Sequence, residues 1–237
     1  MDPDPRIISI GALAANPVWG EKAPVRAGHS TTVLITAAAP GARASDEPRR
    51  ILVDPGLPAE LLIPRLAERA HCTPDEVTHV FLTSFHPERR RGLGAFEHAT
   101  WWIGEGEREA VGVPLAAAAR RAIEADDEDA ADAIRNELAL LQRCQPAPDH
   151  LAEGVDLFPL PGITPGLCGL LLAARRHTTL ITGDALCTRD HADERRLFSP
   201  AADVDAAHAS FEEALEIADL IIPGRDNLFV NQARNAF

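Results

Sequence analysis

An imidazole and a carboxylate stand two residues apart at His86 and Glu88, with the Ser84 hydroxyl just before them and the guanidinium run Arg89-Arg90-Arg91 directly after. Such groups can pass a proton as an acid–base pair, ligate a divalent cation, or hold an anion on a guanidinium fork. Metal-free acid–base chemistry with His86 and Glu88 as the pair is the weakest of these readings, and Ser84 and His86, two apart at a strand end, need not be within hydrogen-bond reach. The segment that positions them begins with Val77, Val80, Phe81 and Leu82, an apolar run too short for a helix and typical of a buried strand. Pro87 stops the strand. Polar groups at the C-terminal ends of strands are where α/β folds collect their ligands.

Other elements follow from the same kind of pattern. Strands are expected over residues 6–10, 30–36, 51–53, 77–83, 99–103, 155–160, 167–173, 178–182 and 220–222. Helices are expected over 59–70 and 203–218, where apolar residues recur at helical spacing. Thr73-Pro74-Asp75-Glu76 has the composition of a capped first turn. Residues 37–50 read as a turn between hairpin strands and 146–149 as a linker. Residues 105–145 are rich in helix formers, with Ile134, Leu138 and Leu141 on one face and an acidic run at 126–129 that suits a solvated face or a helix N-terminus. This segment reads as one or two inserted helices. Pattern alone gives an α/β fold.

Bulk properties narrow the function. The chain has 237 residues and a formal net charge of −13, which argues against a nucleic-acid or anionic-membrane surface. No apolar run approaches the roughly 20 residues needed to span a bilayer. The N-terminus has acids and prolines where a signal peptide has basic residues, so a cytoplasmic location is expected. Cys72, Cys144, Cys168 and Cys187 have no C-x-x-C spacing and are expected to be reduced thiols.

The run Thr83-Ser84-Phe85-His86-Pro87-Glu88-Arg89 resembles the T-H-x-H-x-D-H motif of the metallo-β-lactamase fold family. Three further strings resemble that family's motifs in order: Val53-Asp54-Pro55-Gly56, Pro161-Gly162-Ile163-Thr164-Pro165-Gly166-Leu167, and Gly183-Asp184. Pro223-Gly224-Arg225 resembles its C-terminal P-G-H turn. The likeness runs from Ser30 to Phe229. It implies a single domain over 1–237 folded as a four-layer αββα sandwich, with the 105–145 helical insertion shaping the pocket rim; a homodimer contact through that insertion is the equal alternative. Asp54 is then a structural group supporting the site.

The seven ligand positions of the resembled family map to Ser84, His86, Glu88, Arg89, Ile163, Asp184 and Arg225. His86 and Asp184 keep the family's residue types, and Glu88 is a longer carboxylate. Zinc needs about four neutral-imidazole, thiolate or carboxylate ligands, and guanidiniums repel a dication because they do not deprotonate. The expectation is therefore a protein without a cofactor and without assigned catalytic residues. Arg89 and Arg225 would pair with Asp184 and Glu88 in place of the metal. Ser84, His86, Glu88, Arg89, Asp184 and Arg225, with Arg90, would line a cavity for a small anionic ligand. The alternative is an ester or lactone hydrolase with one divalent metal ion on His86, Glu88 and Asp184, suiting manganese or iron better than zinc. Among the other histidines, His29 and His191 are the first to examine for a metal site built by tertiary proximity.

Overall fold

Successive side chains of a strand point to opposite faces, and the central strands here are apolar on both; the structure, a computed structural model describing residues 2–43 and 45–232, buries both faces by stacking the sheets and helices in four layers. Strands β1 (Asp4–Ser9), β2 (Thr32–Ala37), β3 (Arg49–Val53), β4 (His79–Leu82), β5 (Thr100–Ile103) and β6 (Gln145–Pro146) form one sheet in that order. The second sheet contains β7 (His150–Ala152), β8 (Val155–Pro159), β9 (Cys168–Ala173), β10 (Thr178–Gly183), β11 (Leu220–Pro223) and β12 (Phe229–Val230), again in chain order across the sheet. The helices are α1 (Ala59–Ala70), α2 (Glu105–Glu124), α3 (Glu128–Arg143), α4 (Arg189–Asp193) and α5 (Val204–Ile217).

Val33, Ile35, Ile51, Val53, Phe81 and Trp102 point inward and meet Leu170, Leu172, Ile181 and Ile222 of the second sheet. The opposite face of the first sheet, including Leu34, Leu52, Val80 and Ile103, packs on Leu62 and Leu66 of α1 and Leu141 of α3. Leu180 and Ile221 on the outer face of the second sheet pack on Ala207, Phe211 and Ala214 of α5. This period-2 partition makes the αββα sandwich.

The expected 105–145 insertion holds two helices, α2 and α3, and ends at Gln145 in β6. The acidic run starts the second, with Asp127 Oδ1 accepting the Ala130 N–H at 3.0 Å. At the 73–76 turn the Thr73 N–H donates to Glu76 Oε2 at 2.8 Å. Three short elements depart from the sequence reading. Gln145–Pro146 pairs with β5 at the start of the expected linker, His150–Ala152 forms a hairpin with β8, and Phe229–Val230 adds a strand beyond the one expected to be last. Two or three residues carry no readable period, so only pairing defines them. Ala44 of the expected 37–50 turn, and residues 1 and 233–237 of the expected domain, lie outside the described residues.

Candidate functional site

The parallel pairs β3/β4 and β10/β11 bring four strand ends to one rim. Asp54 follows β3, Thr83 and Ser84 follow β4, Asp184 follows β10, and Arg225 follows β11. Glycine is required at two of these turns. Gly183 has φ +55°, and a Cβ on Gly224 would lie 2.5 Å from the Gly183 carbonyl oxygen and 2.7 Å from Asp184 Oδ1. That close approach lays the Arg225 turn directly against Asp184.

Two guanidiniums and three carboxylates interlock at the rim. Arg89 is fully buried. Its Nη1 donates to Asp54 Oδ2 at 2.5 Å, and its Nη2 lies 2.7 Å from Asp184 Oδ1 as a close ion pair. Arg225 clamps the same Asp184 with two bonds, Nε to Oδ1 and Nη2 to Oδ2, each 3.1 Å. Its Nη1 donates to Glu88 Oε2. Asp54 also accepts the Thr83 N–H at 2.9 Å and the Thr83 hydroxyl at 2.7 Å. Its φ of +48° turns it out of the strand path.

The charges move one another's pKa values. Burial acts to raise the Asp184 carboxyl, but Arg89 and Arg225 outweigh it and hold the group well below the usual carboxylate range. Burial acts against the charged Arg225 and the adjacent Asp184 carboxylate overrides it, so its pKa is raised. Burial likewise pushes Glu88 up, and its Arg225 partner brings it below its ordinary value. Asp54 is raised by burial against the pull of Arg89 and Thr83. Burial first, then the neighbouring Arg225, lowers His86, which favours the neutral imidazole.

Above this network opens a cavity of about 530 Å³. Ser84, His86, Glu88, Thr164, Asp184 and Arg225 supply its polar lining. Leu13, Ala14, Ala15, Ile163, Leu167 and Phe198 supply apolar walls. His86 caps the turn at Pro87–Arg89, its Nδ1 accepting the Glu88 N–H at 3.3 Å. Glu107 of α2 fixes the loops around it, accepting the Phe85 N–H at 3.0 Å and the Thr164 hydroxyl at 2.6 Å.

Five of the six expected site residues line this cavity, and Arg89 does not. Arg89 lies beneath it, because the buried Asp54 carboxylate needs a counter-charge there. Arg90 is also elsewhere: its guanidinium stacks 4.2 Å from the Phe85 ring centre and pairs with Glu137. Glu88 pairs with Arg225, with Arg91 3.6 Å away, and not with Arg89. His29 bonds the Ile10 carbonyl at 3.1 Å, and His191 is buried against Thr188 at 2.8 Å. The walls from residues 13–15 and 198–200 were not read from the sequence. They sit in segments without period or motif.

The donor set does not fit a metal pair. Both Asp184 oxygens face guanidinium nitrogens, Glu88 faces another, and Ile163 offers no ligand atom. Among the described residues no group of three or more His, Cys, Asp or Glu side chains is placed to hold a metal ion. No described helix is long and apolar enough to cross a membrane.

The sequence model of the metallo-beta-lactamase superfamily matches residues 43–225. No curated protein matches the sequence. Among solved structures, a putative metallo-beta-lactamase from Thermotoga maritima superimposes with a TM-score of 0.65 at 18% identity, covering 97% of this chain and 100% of that one. AidC, a dizinc quorum-quenching lactonase in complex with the product N-hexnoyl-L-homoserine, gives 0.61 at 17% identity over 85% of this chain and 75% of that one. A mutant of AiiA from B. thuringiensis with N-decanoyl-L-homoserine bound at the active site gives 0.59 at 16% identity over 95% and 93%. At these identities the likeness is one of fold.

Proposed function

This chain belongs to the metallo-beta-lactamase superfamily, and from that premise we propose that it is a non-hydrolytic small-molecule-binding protein. In this reading arginine is the counter-charge of the site, whereas a protein it resembles in fold is a dizinc lactonase. The supporting observation is the double clamp on Asp184, bound bidentately by Arg225 and paired with the buried Arg89. A carboxylate so engaged has its charge compensated and its lone pairs committed. The ligand in this reading is a small organic anion held above the network, in the roughly 530 Å³ cavity.

A second reading keeps a hydrolase with one divalent metal on His86, Glu88 and Asp184, favoured by the fact that all three line one cavity. Metal content by plasma mass spectrometry, on protein purified without chelator or a histidine tag, separates the two. The binding reading expects far less than one equivalent of zinc, manganese or iron. About one equivalent, lost in Asp184→Ala, would establish the hydrolase reading instead and direct an ester and lactone screen.

A further inference from the structure

Arg225 is almost wholly buried, yet it lines the cavity, and its partners differ in how firmly they are held. Asp184 is fixed from below by Arg89 and grips Arg225 through two bonds, which locks the plane of the guanidinium. Glu88 takes the remaining edge, Nη1, from the cavity side. It is only half-buried, and it has a second cation within reach. Arg91 Nη2 stands 3.6 Å from Glu88 Oε1, too far for a hydrogen bond but close enough to capture the carboxylate after a small rotation.

We infer that Glu88 is an internal stand-in for the ligand, and that the site takes a monocarboxylate with an apolar body, whose carboxylate displaces Glu88 from Arg225 onto Arg91. The inference rests on reading the site as a metal-free binding pocket. The exchange leaves each carboxylate with a guanidinium, the ligand on Arg225 and Glu88 on Arg91, in place of the single Glu88 that both cations now face. It also explains the lining. Arg225 is the guanidinium among the lining residues and can take a charged head, while Leu13, Ile163, Leu167 and Phe198 offer apolar surface to the rest of the molecule. The Phe198 ring, 5.5 Å from the Arg225 guanidinium carbon, marks where head and body meet.

The test is calorimetric titration with octanoate and with octylamine, on the metal-analysed protein and on Glu88→Gln and Arg91→Met variants checked for native circular dichroism. Removing the internal competitor is expected to tighten octanoate binding about tenfold or more in Glu88→Gln. Arg91→Met is expected to weaken it, because the displaced Glu88 loses its alternative partner. Octanoate affinity that is unchanged or reduced in Glu88→Gln would overturn the inference. So would octylamine binding that is lost in Glu88→Gln, which would make Glu88 itself the ligand's partner, or the absence of binding by both probes. Stoichiometric metal in the same preparation would instead defeat the underlying reading of the pocket, whereas metal-free protein failing the octanoate test defeats only the displacement by a carboxylate.

Discussion

Replacing Arg89 by methionine tests whether a guanidinium carries the charge balance of this site. The side chain is fully buried and contacts two buried carboxylates, Asp54 at 2.5 Å and Asp184 at 2.7 Å. Methionine fills much of the volume without the charge. Asp184 keeps both bonds from Arg225, but Asp54 keeps only the Thr83 N–H and hydroxyl. Removing one partner of a buried ion pair costs about 3–5 kcal/mol, a large fraction of the roughly 5–15 kcal/mol typical of a domain. For a chain of this size that corresponds to a fall in Tm of about 6–20 °C. Urea denaturation at pH 7 measures the loss directly. The companion variant Asp54→Asn keeps an oxygen for the Thr83 N–H and tolerates the positive φ at this position. In the double variant no charge is left unpaired at Asp54, so more than half of the loss should return, with a coupling energy of at least about 2 kcal/mol. The pH dependence has a fixed sign. Without Arg89 the folded-state pKa of Asp54, already raised by burial, rises further above its unfolded value. The resulting stabilisation is complete below the unfolded pKa and is lost as pH rises through the folded one. The deficit of Arg89→Met should therefore shrink on acidification. A loss below about 1 kcal/mol at pH 7 with additive single and double variants would refute the claim that Arg89 is the buried counter-charge.

Two further predictions concern metal and pH. The double substitution Arg89→His and Arg225→His removes both guanidiniums and adds two imidazoles beside His86 and Asp184, so zinc should raise its Tm while leaving that of the unsubstituted protein unchanged. Equal zinc response in both proteins would contradict the role given to the arginines. His79 stacks on Trp102 with ring centres 4.1 Å apart, and burial, helped by Arg49, lowers its pKa to about 4. The unfolded chain then binds the extra proton first, so stability is complete above the unfolded pKa and falls by about 2–3 kcal/mol as pH drops toward the folded one. Denaturant midpoints measured across that window should flatten in His79→Phe, and an unchanged slope would assign the dependence to other groups.

Much of the fold was written locally. The apolar runs 33–35 and 51–53 and the helical spacing of Leu62 with Leu66 let the elements be read before any contact was known, but both faces of those strands are apolar, so which face meets the second sheet was set by packing. The turns could be read for a related reason. Pro and Gly restrict or free the backbone where they stand, so Pro161-Gly162, Gly183-Asp184 and Pro223-Gly224 marked the strand ends that carry the site. The resemblance to the family's motifs added that Arg89 and Arg225 stand at positions where the family has imidazoles. Which acid each arginine meets was a different matter. Arg89 reaches Asp54 across 35 residues of chain, and Arg225 reaches Glu88 across 137. Adjacency in sequence does not decide the pairing: Glu88 adjoins Arg89 but turns to Arg225. The cavity walls at Leu13 and Phe198 had no local signature at all. Side-chain partners across such distances are selected by the convergence of strand ends from two sheets and by the requirement that every buried charge be compensated, and both exist only once the chain has packed.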